Sequence, residues 1–336
     1  MGRFSLGLIG YTNKSSGIGL FVYELWKYLE ADSILSIDAG IKGREIWTER
    51  QLNAKRPPSK EQIAEYFEKY EPTHVLFLET PFSDSLYDIA QRYGVKVVGI
   101  PMAETFNVLG LRPDLLICPS LESWRKTTRR AKLLFLPIGL ELFPFKLRKD
   151  HTFVLNIGYG GPHDRRQSVR VVQAFEHIDG DLIINSQAVG WPKEIEKLDD
   201  PRVTKNLGSK PLPKDIYAEG DIAINIMAYG GYERPILESM ASGMPCLTVD
   251  ADPMNLFQHD EDFLMEPSER ILIKSTQWVT DTYYNKVSVD ELIKKLEWLQ
   301  GIDTEKYSKW ARRQAEAQSW ESGLYKDLWL ETIESA

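Results

Sequence analysis

Cysteine is scarce in the 336 residues, with only Cys118 and Cys246 present. Both sit in apolar, strand-like runs, LLIC and PCLTV, which suits reduced, buried thiols and excludes a disulfide framework. No His, Cys and acidic residues fall at zinc-ligand spacing. Also missing is any run of about 18 apolar residues, the length a helix needs to cross a bilayer. The opening MGRFSLGLIGY is too short and too polar for a secretory leader and runs straight into a glycine-rich turn, so it reads as a first core strand. These absences point to a cytoplasmic chain, peripheral to a membrane at most. No repeat with a period of about 20–50 residues and no low-complexity segment stands out. The sequence also has no Gly-x-Ser-x-Gly elbow and no Walker-type Gly-Lys-Ser/Thr, which argues against a serine hydrolase and a P-loop nucleotidase.

What is present is ordinary globular material, 43% hydrophobic and 27% charged, in a chain long enough for two domains. The net charge of −8 is unevenly spread. Residues 1–150 carry 21 Lys and Arg against 18 Asp and Glu, whereas the remainder carries 20 against 31. Much of the basic excess lies in Arg125, Lys126, Arg129, Arg130 and Lys132, followed by Lys146, Arg148 and Lys149. Such a run is either a solvated face or a landing site for an anionic acceptor such as a membrane lipid or modified DNA. The overall acidity argues against extended nonspecific duplex binding.

Short β-branched or apolar runs alternate with segments of helical periodicity, the pattern of βαβ units and parallel sheets. One set of strands is expected at 4–9, 33–37, 74–78, 96–100, 114–118 and 133–136. A second is expected at 152–157, 181–184, 202–204, 221–226 and 245–249. The charged stretch 146–150 divides them, giving domains at 1–149 and 150–306 and a tryptophan-bearing helical tail at 307–336. In doubly wound domains ligands bind outside the carboxyl ends of the strands.

The most informative local segment is MAYGGYERPILESMASGMPCLTV, residues 227–249. It parses as a strand end, a turn at Gly230 and Gly231, a helix opening near Pro235, a stop at Gly243 and another strand. Proline suits a first helical turn and glycine the left-handed residue after a helix. The helix start offers backbone N–H groups to a phosphate, and Glu238 offers a carboxylate to sugar or ribose hydroxyls, unless it merely complements the helix dipole.

This segment resembles the donor-binding signature of retaining glycosyltransferases of family 4, in which a Glu, Gly, aromatic, Gly, any residue, Pro stretch leads into a helix bearing a second Glu. Gly231, Tyr232, Pro235, Glu238, Met240, Ala241, Gly243 and Pro245 fit it. Two positions depart: the first acidic residue is Gly230, and the second glycine is Glu233. The resemblance implies that Glu238 holds the nucleotide ribose and that Glu233 supplies the lost carboxylate from three residues further on. SSGIGLFVYELWKYL resembles the first glycine-rich loop and helix of these enzymes, with Gly17 and Gly19 near the donor phosphates. In NIGYGGPHDRRQSVRVVQAF, Arg166 aligns with the family's phosphate-binding Lys and Tyr159 stands where an Arg is usual, with Arg165 placed to compensate. A solvated helix start is the plain alternative for that arginine pair. Many members carry a histidine after the fourth strand. Here KVVGIPMAETFN has Met102 near that position, and Glu104 is the candidate for orienting the acceptor hydroxyl.

The fold implied is α/β of GT-B type, two Rossmann-like doubly wound parallel-sheet domains with an interdomain cleft. The implied reaction moves a sugar, with retention, from a nucleotide-diphosphate sugar to a glycan, a lipid-linked sugar or another hydroxyl. Asp250 and Asp252 imitate an Asp-x-Asp metal motif, but a hard cation wants more oxygen ligands than this pair offers, so no metal or other cofactor is expected. The rival readings are a sugar-nucleotide epimerase or hydrolase on the same fold, and a nucleotide-sugar-binding protein that has lost catalysis.

Overall fold

The computed structural model describes residues 4–14, 16–38, 44–102, 112–126, 132–158, 164–187, 192–208, 213–258, 260–274 and 281–336. The chain divides into two compact units, Met1–Glu141 with Ser322–Ala336, and Leu142–Ser275 with Asp281–Glu321.

In the first unit the elements run β1 (Leu6–Gly10), α1 (Gly17–Tyr28), β2 (Ser33–Ile37), β3 (Gln51–Ala54), α2 (Lys60–Tyr70), β4 (His74–Leu78), α3 (Ser85–Tyr93), β5 (Lys96–Ile100), β6 (Leu115–Cys118), α4 (Leu121–Lys126) and β7 (Lys132–Phe135). Seven parallel strands stand in the order β3-β2-β1-β4-β5-β6-β7. β1 and β2 are buried at every position, as expected of parallel strands covered on both faces. The helices are delimited by side chains the sequence supplies. Ser59 and Gln62 close a reciprocal capping box at the start of α2, and Gly94, at φ 68°, ends α3.

The second unit runs β8 (Phe153–Gly158), α5 (Ser168–Phe175), β9 (Leu182–Ser186), α6 (Lys193–Lys197), β10 (Val203–Leu207), β11 (Ile222–Asn225), α7 (Arg234–Ala241), β12 (Cys246–Val249), β13 (Leu264–Met265), β14 (Glu269–Ile273), β15 (Thr282–Lys286), α8 (Val289–Gln300) and α9 (Thr304–Ala317). Six parallel strands stand in the order β10-β9-β8-β11-β12-β13, and β14 and β15 form a separate antiparallel pair. The last helix, α10 (Leu324–Glu334), belongs to the first unit, where the indole of Trp329 donates to the Pro137 carbonyl at 3.0 Å.

The units change over at 141/142 and 321/322, whereas the sequence pattern suggests 149/150 and 306/307. The reason is local. Arg148 is 1% exposed and donates to the carbonyls of Gly220 at 2.5 Å and Tyr217 at 2.6 Å, tying the charged stretch to the second unit. α9 stays there too, because Arg312 donates to the Ala241 carbonyl at the end of α7 at 2.6 Å. Strands β3 and β13 and the β14–β15 pair are additions to the expected set. Both cysteines are free and buried, and burial pushes the Cys246 thiol up to about 12.

Candidate functional site

The sheet of the second unit reverses its winding between β8 and β11, and in doubly wound domains such a switch point is where ligands bind. One loop leads into α5 and the other, residues 226–233, into α7. The two arginines expected to meet phosphate lie on the first. Arg166 reaches across the switch point and its Nη1 donates to Oδ1 of Asn225, the last residue of β11, at 2.8 Å. The same Nη1 stands 3.9 Å from Oε2 of Glu233, and the two side chains are 11% and 4% exposed. Burial holds the Arg166 guanidinium below its ordinary value, while Glu233 acts in the opposite direction. An arginine so placed stays charged. Its Nε and Nδ2 of Asn225, both buried, have no hydrogen-bond partner among the described residues.

Three residues of this small region take left-handed backbone that non-glycine residues avoid: Asp164 at φ 45°, Gln167 at φ 51° and Glu233 at φ 51°. Each such residue costs roughly 1–2 kcal/mol, so the surroundings must enforce them. They do so with hydrogen bonds. Asp164 accepts from Ser168 N at 2.9 Å and Val169 N at 3.1 Å, fixing the start of α5. Gln167 Nε2 donates to the carbonyls of Ile226 at 2.9 Å and Asn285 at 3.0 Å, and its Oε1 accepts from Val287 N at 3.0 Å. Ala228 N donates to the Arg165 carbonyl at 2.8 Å, and the Arg165 guanidinium lies 5.9 Å from the centre of the Tyr229 ring. Residues 164–168 and 226–228 are thereby tied to one another.

On the second loop α7 opens as its sequence suggests, with Pro235 in the first turn and Gly243, at φ +88°, beyond its end. Glu238 lies past the first turn, so the helix-dipole role does not apply. Its Oε1 accepts from Arg234 Nε at 2.5 Å and its Oε2 from the Tyr217 hydroxyl at 3.4 Å. Burial first, and Glu238 second, raise the Tyr217 phenol far above its ordinary value, so it remains a donor. Two partners leave a carboxylate acceptor capacity for a ligand hydroxyl.

The two departures at 230 and 233 have one physical cause in common. A Cβ on Gly230 would stand 1.7 Å from Oε1 of Glu233 and 2.8 Å from its Cδ. The Glu233 carboxylate fills the space that a side chain at 230 needs. Gly231 is buried beside it, and the Tyr232 ring, 3% exposed, packs edge-on against Phe257 at 4.9 Å, so this aromatic serves the core.

Of the other expected site residues, Gly17 and Gly19 open α1 in the first unit. Gly19 is accounted for by packing, since a Cβ there would lie 1.9 Å from the Asn13 carbonyl oxygen, whereas Gly17 has nothing within 4 Å of that position. Tyr159 and Glu104 lie outside the described residues, as do Arg129 and Arg130. Four members of the basic run have partners within the protein: Lys126 pairs with Glu122 at 2.7 Å, Lys132 donates to Ser335, Lys146 donates to the Ala218 carbonyl, and Arg148 is buried. Asp250 accepts from Asn255 Nδ2 at 2.7 Å, and no group of three His, Cys, Asp or Glu side chains could hold a metal among the described residues. No helix among these residues is long and apolar enough to cross a membrane. Asn225, Gln167, Tyr217 and Arg234 escaped the sequence reading. Only Arg234 left a signal there, as an Arg four residues before Glu238 on a helix.

No protein-family model and no curated protein matches the sequence. Solved structures do match the fold. A glycosyltransferase from Rickettsia africae superposes with a TM-score of 0.72 at 14% identity over 100% of both chains. Anabaena Alr3699/HepE, in complex with UDP and glucose, matches with a TM-score of 0.70 at 12% identity over 99% of this chain and 100% of its own. The sucrose-phosphate synthase of Thermosynechococcus elongatus matches with a TM-score of 0.69 at 14% identity over 97% and 99%. The fold is therefore of the GT-B type, with two Rossmann-like units.

Proposed function

We propose that the chain is a nucleotide-sugar-dependent glycosyltransferase whose donor diphosphate lies at the β8/β11 switch point. The observation that carries this reading is the pair of buried donors there, Arg166 Nε and Asn225 Nδ2, that have no partner among the described residues. A buried donor left unmet costs about 1–3 kcal/mol, and a diphosphate, which only accepts hydrogen bonds, meets both. The start of α7 adds a favourable dipole end. The fold likeness supports the same reading, because Anabaena HepE is seen with UDP and with UDP-glucose.

In the reaction the bond from the sugar's anomeric carbon to the diphosphate breaks. The acceptor oxygen bonds to that carbon on the same face, and the hydroxyl proton passes to the departing diphosphate. Arg165 and Arg166 stabilise the charge that develops on the leaving group, so neither a metal nor a strong protein base is required. Glu238 holds the ribose, oriented by Arg234 and Tyr217. The acceptor is a glycan, a lipid-linked sugar or another hydroxyl, met in the cytoplasm or at a membrane surface. With Arg148 buried and a net charge of −8, an anionic polymer is the weaker acceptor candidate.

A thermal-shift panel of UDP-, GDP-, ADP- and TDP-sugars tests this. A donor at 100 times its Kd adds about 2.7 kcal/mol of apparent stability. Arg166→Ala is expected to weaken that donor by about 10–150-fold, the loss of a charge-assisted contact worth about 1.5–3 kcal/mol. A wild-type chain that none of the four series stabilises overturns the reading. A chain that binds one tightly, yet neither hydrolyses it nor transfers its sugar to any acceptor extract, is a binding protein.

A further inference from the structure

We propose that the outer edge of β14 pairs with the same edge of a second copy of this chain, antiparallel about a two-fold axis through Ile271, so that two β14–β15 ribbons join into one four-stranded sheet.

The edge is open because of what happens on the far side of β15. There Asn285 N donates to the Ala228 carbonyl at 2.9 Å, and the Asn285 carbonyl accepts from Gln167 Nε2 at 3.0 Å. Both backbone groups of Asn285 therefore point away from β14. Arg270 stands opposite Asn285, and directly opposed residues of an antiparallel pair turn their backbone groups either both toward each other or both apart. Arg270, and Leu272 two residues on, thus hold their N–H and C=O toward the outer side of β14. Among the described residues no further strand joins there.

The side chains are as open as the backbone. Glu269, Arg270, Ile271 and Leu272 are all exposed, and since successive side chains lie on opposite faces, neither face of β14 is covered. Ile271 and Leu272 are each 42% exposed, and Tyr283, opposite Leu272, is 54% exposed. An edge of this apolar character is a template for another strand.

Register and charge select the occupant. A second copy brings the same unmet groups, and two-fold symmetry lets them satisfy one another. Because opposed residues must share backbone orientation, the axis passes through a residue rather than between two. An axis through Glu269 or Arg270 sets like charges face to face, and one through Leu272 sets Arg270 opposite Lys274 of the second copy. An axis through Ile273 lets only part of the strand overlap. Through Ile271 the whole strand pairs with itself without a like-charge contact. Arg270 and Leu272 then exchange N–H···O=C bonds across the edge, and Ile271 meets Ile271 of the second copy. On that face Tyr284, which is opposite Ile271, extends the apolar row at each end.

Analytical ultracentrifugation of the full chain tests this. One short strand pair buries less than the ~1,200 Å² of a standard complex, so the mass should rise from monomer towards dimer across the micromolar range. Ile271→Arg sets two like charges on the axis and should raise the dissociation constant about tenfold or more, leaving the thermal unfolding of the dilute chain unchanged. Under oxidation Ile271→Cys should give a disulfide-linked dimer, since opposed Cα atoms in a pair of this kind stand ~4.5 Å apart. Leu272→Cys should not, because its own copy lies on the diagonal, beyond the ~7 Å that a disulfide spans. Cys118 and Cys246 are buried and do not confuse the readout. A wild type that is monomeric throughout the micromolar range overturns the proposal. So does an Ile271→Arg variant that dimerises like wild type, or a Leu272→Cys variant that links as readily as Ile271→Cys. A monomeric wild type that co-sediments with phosphatidylglycerol vesicles overturns it in favour of a membrane contact.

Discussion

Gly230 has a neighbour that leaves no room for even one methyl group. Gly230→Ala would place a carbon 1.7 Å from a carboxylate oxygen, so either Glu233 swings away or the loop moves. Overpacking of this kind costs typically about 1–3 kcal/mol, and that loss is expected in urea unfolding midpoints. In a Glu233→Gly background the same alanine should be nearly neutral, because the clash has been removed. Equal losses in both backgrounds would mean that Glu233 does not occupy this space. At this scale the sequence was partly legible. Pro235 and Gly243 announce themselves because proline and glycine each have few reasons to stand where they do, whereas Glu238 kept two readings until its place past the first turn of α7 was known. Gly230 and Glu233 were visible as departures from a pattern, but the compensation between them depends on where a side chain folds back, which spacing alone does not encode. The Tyr232 ring shows the opposite limit, since an aromatic beside a site looks alike in sequence whether it faces ligand or core.

Among the elements, those with a buried apolar run were readable and those at a sheet margin were not. β1, β4, β6 and β11 announce themselves with the apolar runs LGLIG, VLFL, LLIC and IAI, whereas β3, QLNA, is half-exposed at a sheet edge and β13 is two residues long. The β14–β15 pair was missed because the segment between its strands is not a two-residue turn of recognisable type. Helix starts were better marked. At α2, Ser59 Oγ accepts from Gln62 N at 3.2 Å, and Gln62 Oε1 accepts from Ser59 N at 3.1 Å. Ser59→Ala removes half of this box and should cost about 1 kcal/mol by chemical denaturation. Ser59→Asp should retain most of it. A loss as large for aspartate as for alanine would show that the cap is not what the serine provides.

For the molecule as a whole, composition and alternation were enough to give two doubly wound units, because repeated βα periodicity has few other solutions. The boundaries were less legible. A charged stretch looks like a linker, and nothing local in KLRKD announces that the Arg148 side chain is buried against carbonyls far along the chain. Trp329, fully buried in the first unit, tests the division. Trp329→Ala should cost about 3–5 kcal/mol and lower the unfolding temperature of the first unit. Nucleotide stabilisation of the second unit should persist. Loss of both together would mean that the units unfold as one.

The return of α10 also fixes an order of events during synthesis. The second unit is made of Leu142–Ser275 and Asp281–Glu321, while the first needs Ser322–Ala336 to finish its packing around Trp329. A ribosome reading from the amino end therefore completes the later unit before the earlier one. Until residues 322–336 emerge, the first unit lacks the Trp329 packing, and a chaperone is expected to engage the nascent chain in that interval.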